Sequence, residues 1–378
     1  MSTRPRLLFH VQHLLGIGHL RRAALVASAL ADEGFTVTVA RGGMPGAPFD
    51  FGGAEVVQLP PLRAADEGFG ALVDAEGRPL DADGEARRRE ALLALYEKVR
   101  PDVVLLESFP FGRRQMRFEL MPLLERIGRA RPRPRVAVSI RDILQGRRPE
   151  RERETVAVVR AHVDRVLVHG DPALASLGDS FGPAAEIADR TVYTGYVAPP
   201  APQPRPRERV VVSAGGGAVG AVLLAAAVAA RPLTRHRDRP WTLIAGPNLP
   251  EAELRALSAA APPGVTVERS VSDLPAVLAG AVVSVSQGGY NTLMDIAVSA
   301  TPAVIVPFAG RGETEQPTRA SRLEALGAVT VVAESGLMPE GLAAAIDATT
   351  GSRWPALRLD GARETARVLR ALLDGPPT

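Results

Sequence analysis

The sequence predicts an α/β protein of two doubly wound, Rossmann-like domains, and three observations carry that prediction. Short β-branched apolar runs alternate with longer segments whose apolar residues recur at helical spacing, as in parallel sheets with helical crossovers. At 378 residues the chain is too long for one comfortable hydrophobic core. Ala198 to Glu208, APPAPQPRPRE, reads as an extended proline-rich spacer near the middle. The expected organisation is a first domain over 1–198, a linker over 199–208, a second domain over 209–358 and a last helix over 359–378.

The first domain opens with a buried strand, Arg6 to Gln12, and a helix from Leu20 to the closing Gly34, joined by the loop HLLGIGH with Gly16, Gly18 and His19. Val37 to Arg41 is a second strand. Residues 61 to 90 are acidic and glycine-rich and read as a mobile flap before a helix from about Glu85 to Val99. Asp81 and Asp83 form a D-x-D in that flap, but no apolar strand precedes it, so it reads as solvated loop rather than a metal site. Strands Asp102 to Glu107, Val136 to Ile140 and Arg165 to His169 bring Glu107, Ser108, Arg141, Asp142, His169 and Asp171 to one sheet edge. In doubly wound sheets that edge faces the ligand, although polar residues there also cap helices. The arginine-dense stretch Arg113 to Arg135 has an amphipathic pattern that suits either an anionic membrane surface or an ordinary half-buried face.

The second domain begins with the strand Arg209 to Ser213 and the turn Gly215, Gly216, Gly217, which with Gly220 formally completes G-x-G-x-x-G. A NAD site would also need an acidic residue ending the next strand, and Trp241 to Gly246 has none. The most informative stretch is Ser284 to Gly327. An apolar strand, Ala281 to Ser286, meets Gln287, Gly288 and Gly289; a helical pattern follows through Ser299, then the strand Ala303 to Phe308 and a polar loop to Gln316. A helix opening after a strand points free N–H groups and the positive dipole end at a bound phosphate, and glycine lets the anion approach. Thr292 adds a hydroxyl in the first turn, and Asp295, one turn on, could accept ribose hydroxyls. Glu315 and Gln316 close the second loop at the same edge.

Gly289, Thr292, Glu315 and Gln316 resemble, residue for residue, the G-x-x-T-x-x-E and acidic-Gln signature of GT-B glycosyltransferases of the family-28, MurG-like type. Asp295 departs from it, since the family usually has Glu there. The resemblance implies a GT-B fold with an interdomain cleft, the last helix crossing back to the first domain, and transfer of a sugar from a nucleotide diphosphate sugar, UDP-linked such as UDP-GlcNAc, to a hydroxyl acceptor without a required metal or other cofactor. The implied donor residues are Gly215, Gly216, Gly217, Val271, Gln287, Gly288, Gly289, Thr292, Asp295, Glu315 and Gln316. His19 or Glu107 is the implied base, and Gly16, Gly18, Arg141, Asp142 and His169 lie on the acceptor side. The acceptor class this suggests is a lipid-linked or cell-envelope glycan, met through peripheral membrane contact. A sugar-nucleotide 2-epimerase and a non-catalytic nucleotide-sugar-binding protein remain as alternatives.

Composition excludes several other classes. With no cysteine the chain has no disulfide framework, thiolate metal site or thiol nucleophile. Aromatics make up 4% and net charge is only +3, giving little for nucleic acid to stack on or be drawn to. Lys98, the one lysine, lies in a surface helix pattern and is badly placed for pyridoxal phosphate. His10, Gln12 and His13 interrupt any leader-like apolar run, so the expected location is the cytoplasm.

Overall fold

The computed structural model describes residues 4–14, 18–46, 49–65, 71–216, 220–310, 313–351 and 353–375. It divides into two compact units, one of residues 1–197 with 360–378 and one of residues 198–359.

The first unit contains β1 (Arg6–Val11), α1 (Gly18–Asp32), β2 (Thr36–Arg41), β3 (Glu55–Gln58), β4 (Arg63–Ala64), β5 (Leu72–Val73), α2 (Ala82–Val99), β6 (Val103–Glu107), α3 (Arg117–Arg129), β7 (Arg135–Arg141), α4 (Pro149–His162), β8 (Arg165–His169) and β9 (Thr191–Tyr193). Its parallel sheet has the order β3-β2-β1-β6-β7-β8-β9. The order reverses between β1 and β6, so the loops leaving those two strands diverge and leave a crevice at their carboxyl ends. Leu7, Leu8, Phe9 and Val103 to Leu106 have no exposed surface, because helices cover both faces and every side chain of a central strand must be apolar or paired.

The segment read as a mobile flap is held down. Leu62 and Ala64 on one side and Leu72 on the other enter the core, and β4 pairs antiparallel with β5. Asp81 accepts a hydrogen bond from the Gly84 amide at 2.7 Å and caps α2, which starts three residues before the expected Glu85. In the arginine-dense stretch, Leu120, Leu123, Leu124 and Ile127 of α3 are buried in the unit's own core, so the apolar stripe is already covered by protein.

The second unit contains β10 (Arg209–Ser213), α5 (Ala221–Ala230), β11 (Trp241–Ile244), α6 (Glu251–Ala260), β12 (Val265–Glu268), α7 (Leu274–Ala279), β13 (Ala281–Ser286), α8 (Tyr290–Ser299), β14 (Ala303–Ile305), α9 (Glu315–Ala325), β15 (Thr330–Val331) and α10 (Pro339–Ala348). Its parallel sheet, β12-β11-β10-β13-β14-β15, repeats the reversal, here between β10 and β13. The last helix, α11 (Gly361–Asp374), packs on α1 within the first unit; Leu369 is fully buried there and Arg370 stacks on the Phe35 ring at 4.6 Å. Gly361 is required at its start, since a Cβ would lie 2.3 Å from the Gly195 carbonyl oxygen. Among the described residues no helix is long and apolar enough to cross a membrane.

Candidate active site

In the first unit, the sheet reversal brings together residues 88 positions apart. β1 ends at Val11 and the chain re-enters α1 at Gly18, setting His19 in the first helical turn; β6, hydrogen-bonded beside β1, ends at Glu107. His19 Nδ1 lies 2.6 Å from Glu107 Oε1. The same oxygen accepts hydrogen bonds from Arg22 Nη2 at 2.5 Å and Ser108 Oγ at 2.9 Å. Ser108 adopts a left-handed φ of 67°, uncommon for a residue with a Cβ and a mark of a turn fixed by its surroundings.

Charge balance decides the protonation of this pair. Burial alone would raise the Glu107 carboxyl, but His19, Arg22 and Arg113 together hold it well below the usual carboxylate range. His19 is pushed down to about 3, first by burial and then by Arg113 and Arg22, against the opposing pull of Glu107. With one carboxylate already facing two guanidinium groups, a protonated imidazole would be a third cation. The imidazole is therefore neutral and Glu107 ionised. An ionised carboxylate has no proton to give, so Nδ1–H donates to Glu107 and the lone pair resides on Nε2. That nitrogen has no partner among the described residues, and the ring lines a cavity of about 760 Å³.

The other expected residues of this unit divide sharply. Arg141 lines the same cavity. Gly18 opens α1, and Gly16 lies outside the described residues. His169 is fully buried, with Nε2 2.7 Å from Ser139 Oγ and Nδ1 2.8 Å from Thr194 Oγ1. Asp142 is also fully buried and accepts a hydrogen bond from Tyr196 Oη at 3.0 Å. Both are internal struts rather than cavity residues, because the strand end carries them under neighbouring chain. Sequence reasoning missed Arg22 and gave Arg113 no role at the site. A signal for Arg22 was present, since it sits one helical turn after His19.

In the second unit, the loops leaving β10 and β13 meet at the reversal. Gly215 has φ 59°, and a Cβ built there would lie 3.8 Å from Gln287 Oε1 and 4.0 Å from Thr292 Oγ1. Gly289 is the N-cap of α8 and its built Cβ is also 4.0 Å from Thr292 Oγ1, leaving the helix start open around that hydroxyl. Gly288 packs against the Gln316 backbone. Gln316 Oε1 accepts from the Phe308 amide at 3.2 Å, which ties the loop after β14 to α9. Gly216 takes part through its carbonyl, which accepts from the Asn248 amide at 3.1 Å, and Val271 is half-buried in the loop after β12. Gly217 lies outside the described residues. Gly220 is a packing glycine, since a Cβ would meet that of Ala214 at 2.1 Å.

Two acidic expectations change. Asp295 is fully buried in α8, so its carboxylate, one methylene shorter than Glu, is not on the surface that ribose hydroxyls would meet. Glu315 is 3% exposed and accepts from Arg319 Nη2 at 3.1 Å, which fixes α9 to its own first turn. Thr292 is also largely buried, with 9% exposure.

Residues 211–353 match the glycosyltransferase family 28 C-terminal domain. The second unit is a family-28 glycosyltransferase domain. The chain is 35% identical over 136 residues to a UDP-N-acetylglucosamine–N-acetylmuramyl-(pentapeptide) pyrophosphoryl-undecaprenol N-acetylglucosamine transferase of Brucella anthropi, a match covering 35% of this chain and 36% of that one. The enzyme of the same name from Lactiplantibacillus plantarum is 31% identical over 134 residues, covering 35% and 37%. The matched part thus spans about a third of these relatives. Solved structures extend the likeness to the fold of the whole chain. MurG of Acinetobacter baumannii superposes with a TM-score of 0.57 at 14% identity, covering 98% of both chains. The spinosyn rhamnosyltransferase SpnG, complexed with thymidine diphosphate, gives 0.60 at 18% identity, covering 98% and 96%. The family-28 domain and the unit before it therefore form a GT-B pair of Rossmann-like folds, and the glycine-lined edge around Thr292 belongs to the part that carries the family match.

Proposed function

We propose that the protein transfers a sugar from a nucleotide diphosphate sugar to a hydroxyl acceptor, the second unit holding the donor and the first the acceptor. The observation that carries this reading is the His19–Glu107 contact at 2.6 Å on the wall of a cavity, in a chain whose other unit is a family-28 domain. His19 Nε2 takes the acceptor hydroxyl's proton as its oxygen attacks the anomeric carbon. Glu107 holds the ring in the tautomer that makes this feasible and balances the imidazolium as it forms. The sequence left His19 and Glu107 as rival bases; in this reading they are one device.

At the donor, the sugar–phosphate bond breaks and the diphosphate leaves as an anion. The amides at the start of α8 and the Thr292 hydroxyl meet that charge, a role in which a helix N-terminus substitutes for a cation. Metal independence is part of the proposal and predicts activity unchanged by a chelator. UDP-GlcNAc is the donor to test first, because the curated relatives' names carry it, with a TDP-sugar second. A lipid-linked or cell-envelope glycan, approached from the membrane face, is the first acceptor class to test on the same ground.

Calorimetric titration with UDP and TDP, in wild type and Thr292→Val, tests the donor half. Binding that weakens about 10-fold in the variant, the loss of one hydrogen bond to a charged group, is expected. A protein that binds neither nucleotide would sink the reading.

A further inference from the structure

Proton transfer at the cavity uses His19 and Glu107 and leaves a buried polar cluster at the end of β1 without a role. Gln12, the residue after β1, is fully buried. Its side-chain amide donates to the His13 carbonyl at 2.8 Å and to the Leu62 carbonyl at 3.1 Å, and its Oε1 accepts from Arg88 Nη2 at 2.6 Å. Arg88 has no exposed surface either. Its Nε donates to Glu119 Oε2 at 2.8 Å, and its Nη1 donates to the carbonyls of Gly42, at 2.8 Å, and of Pro60. Burial alone would raise the Glu119 carboxyl, but Arg88 and His10 hold it below its usual range. A Cβ at Gly42 would lie 2.0 Å from Gln12 Oε1 and 2.2 Å from Arg88 Nη2, so only glycine leaves room for both.

The backbone of Gln12 is held from another side. Its carbonyl accepts from Arg113 Nε at 2.7 Å, and Arg113 lines the cavity with His19. Two loops therefore meet at Gln12, the one leaving β1 on its way to His19 and the one that follows Glu107 at the end of β6. The second is tightly specified, with Ser108 at φ 67° and Arg113 at φ 57°, both left-handed and neither glycine. Both ends of the stretch 113–119 thus hold one glutamine, Arg113 directly and Glu119 through Arg88.

We infer that Gln12 and Arg113 are positioning residues, a clamp between the loops leaving β1 and β6 that keeps His19 within hydrogen-bonding distance of Glu107. The inference deepens the proposed transfer and rests on it for its effect on rate; the effect on the imidazole can be read without turnover. Gln12 has a partner for each polar atom of its side chain, and buried networks satisfied in this way fix geometry. A misplacement of about 1 Å at a base is enough to cost on the order of 100-fold in rate.

Arg113→Lys tests the clamp, because it keeps a cation near Glu107 but has no N–H at the Nε position. Gln12→Met keeps side-chain length without the hydrogen bonds; should it fail to fold, Arg113→Lys, at the cavity wall, still decides. Nitrogen NMR of histidine-labelled protein reads the tautomer of His19, its signal identified by its loss in His19→Gln, beside steady-state kinetics and UDP calorimetry. Wild type is expected to show a single neutral Nδ1–H ring. Arg113→Lys is expected to average the two neutral tautomers and to lower kcat about 10- to 100-fold, with UDP affinity within about twofold of wild type. A fixed Nδ1–H ring with wild-type kcat would overturn the clamp, and so would a lower Tm as the only change. A lowered kcat with the ring unchanged would also overturn it, by assigning Arg113 to substrate contact, as would a UDP affinity that falls with kcat. Averaged tautomers in Arg113→Lys, with no sugar transfer even by wild type, would keep the clamp and remove the transfer reading.

Discussion

The two units repeat one topology and line its reversal with different groups. In each, a parallel sheet reverses its strand order once, between β1 and β6 in the first and between β10 and β13 in the second. At the first reversal the chain places ionised and titratable side chains, with His19, Arg22 and Glu107 sharing one carboxylate oxygen. At the second it places glycines, a helix start and hydroxyls, that of Thr292 and those of Ser213 and Ser286 at the strand ends. Side chains suit a proton that must move, because only a titratable group changes its charge during the reaction. Backbone amides suit a diphosphate that must be met wherever its charge develops, because they are fixed and cost no reorganisation.

The sharpest way to break this comparison is at His19. His19→Ala is expected to lower kcat about 100- to 10,000-fold while leaving UDP affinity within twofold of wild type, read from steady-state kinetics and calorimetry. A nucleotide affinity that falls with kcat would mean that the two chemistries are not divided between the units.

Glu107→Gln comes next, since it separates orientation from structure. It leaves Arg22 and Arg113 facing an amide in a buried place, so a stability loss of about 3 kcal/mol accompanies the loss of activity. Denaturant unfolding measures the first effect. A variant as stable as wild type would show that the arginines find another counter-charge.

A smaller effect sharpens the picture through pH. His19 and His169 are held down to about 3 and His13 to about 4, in each case chiefly by burial. Because the unfolded chain takes up protons near pH 6.5 and the folded one does not, stability is complete above that pH and declines as pH falls from about 6.5 towards these lowered values. A Tm lower at pH 5 than at pH 7.5 is expected. By the same shift, His19 remains an available base down to the acid side of neutrality, so kcat/KM should show no fall centred at pH 6.5. A limb there would mean that His19 titrates as an ordinary exposed histidine.

What each region disclosed in advance follows from how local its chemistry is. The strand, turn and helix around Gly289 and Thr292 are continuous in the chain and form where the pattern predicts them, because local hydrogen bonding and conformational preference set them. The burial of Asp295 was not legible for the same reason. Spacing along a helix gives a residue's direction, but not whether neighbouring elements cover it, and here they do. His169 and Asp142 show this at strand ends, where one edge of a sheet holds both ligand-facing side chains and buried struts.

The sequence by itself determined the alternation of strands and helices, the doubly wound class of both sheets and the glycine-and-threonine helix start, because each depends on neighbours a few residues away. Only the tertiary structure decided which of the polar strand-end residues would share a site. His19 and Glu107 are 88 residues apart, and it is the adjacency of β1 and β6 that brings a neutral imidazole onto a carboxylate held by two arginines. No pattern along the chain encodes that charge balance, since it arises from burial and from fields that cross the sheet.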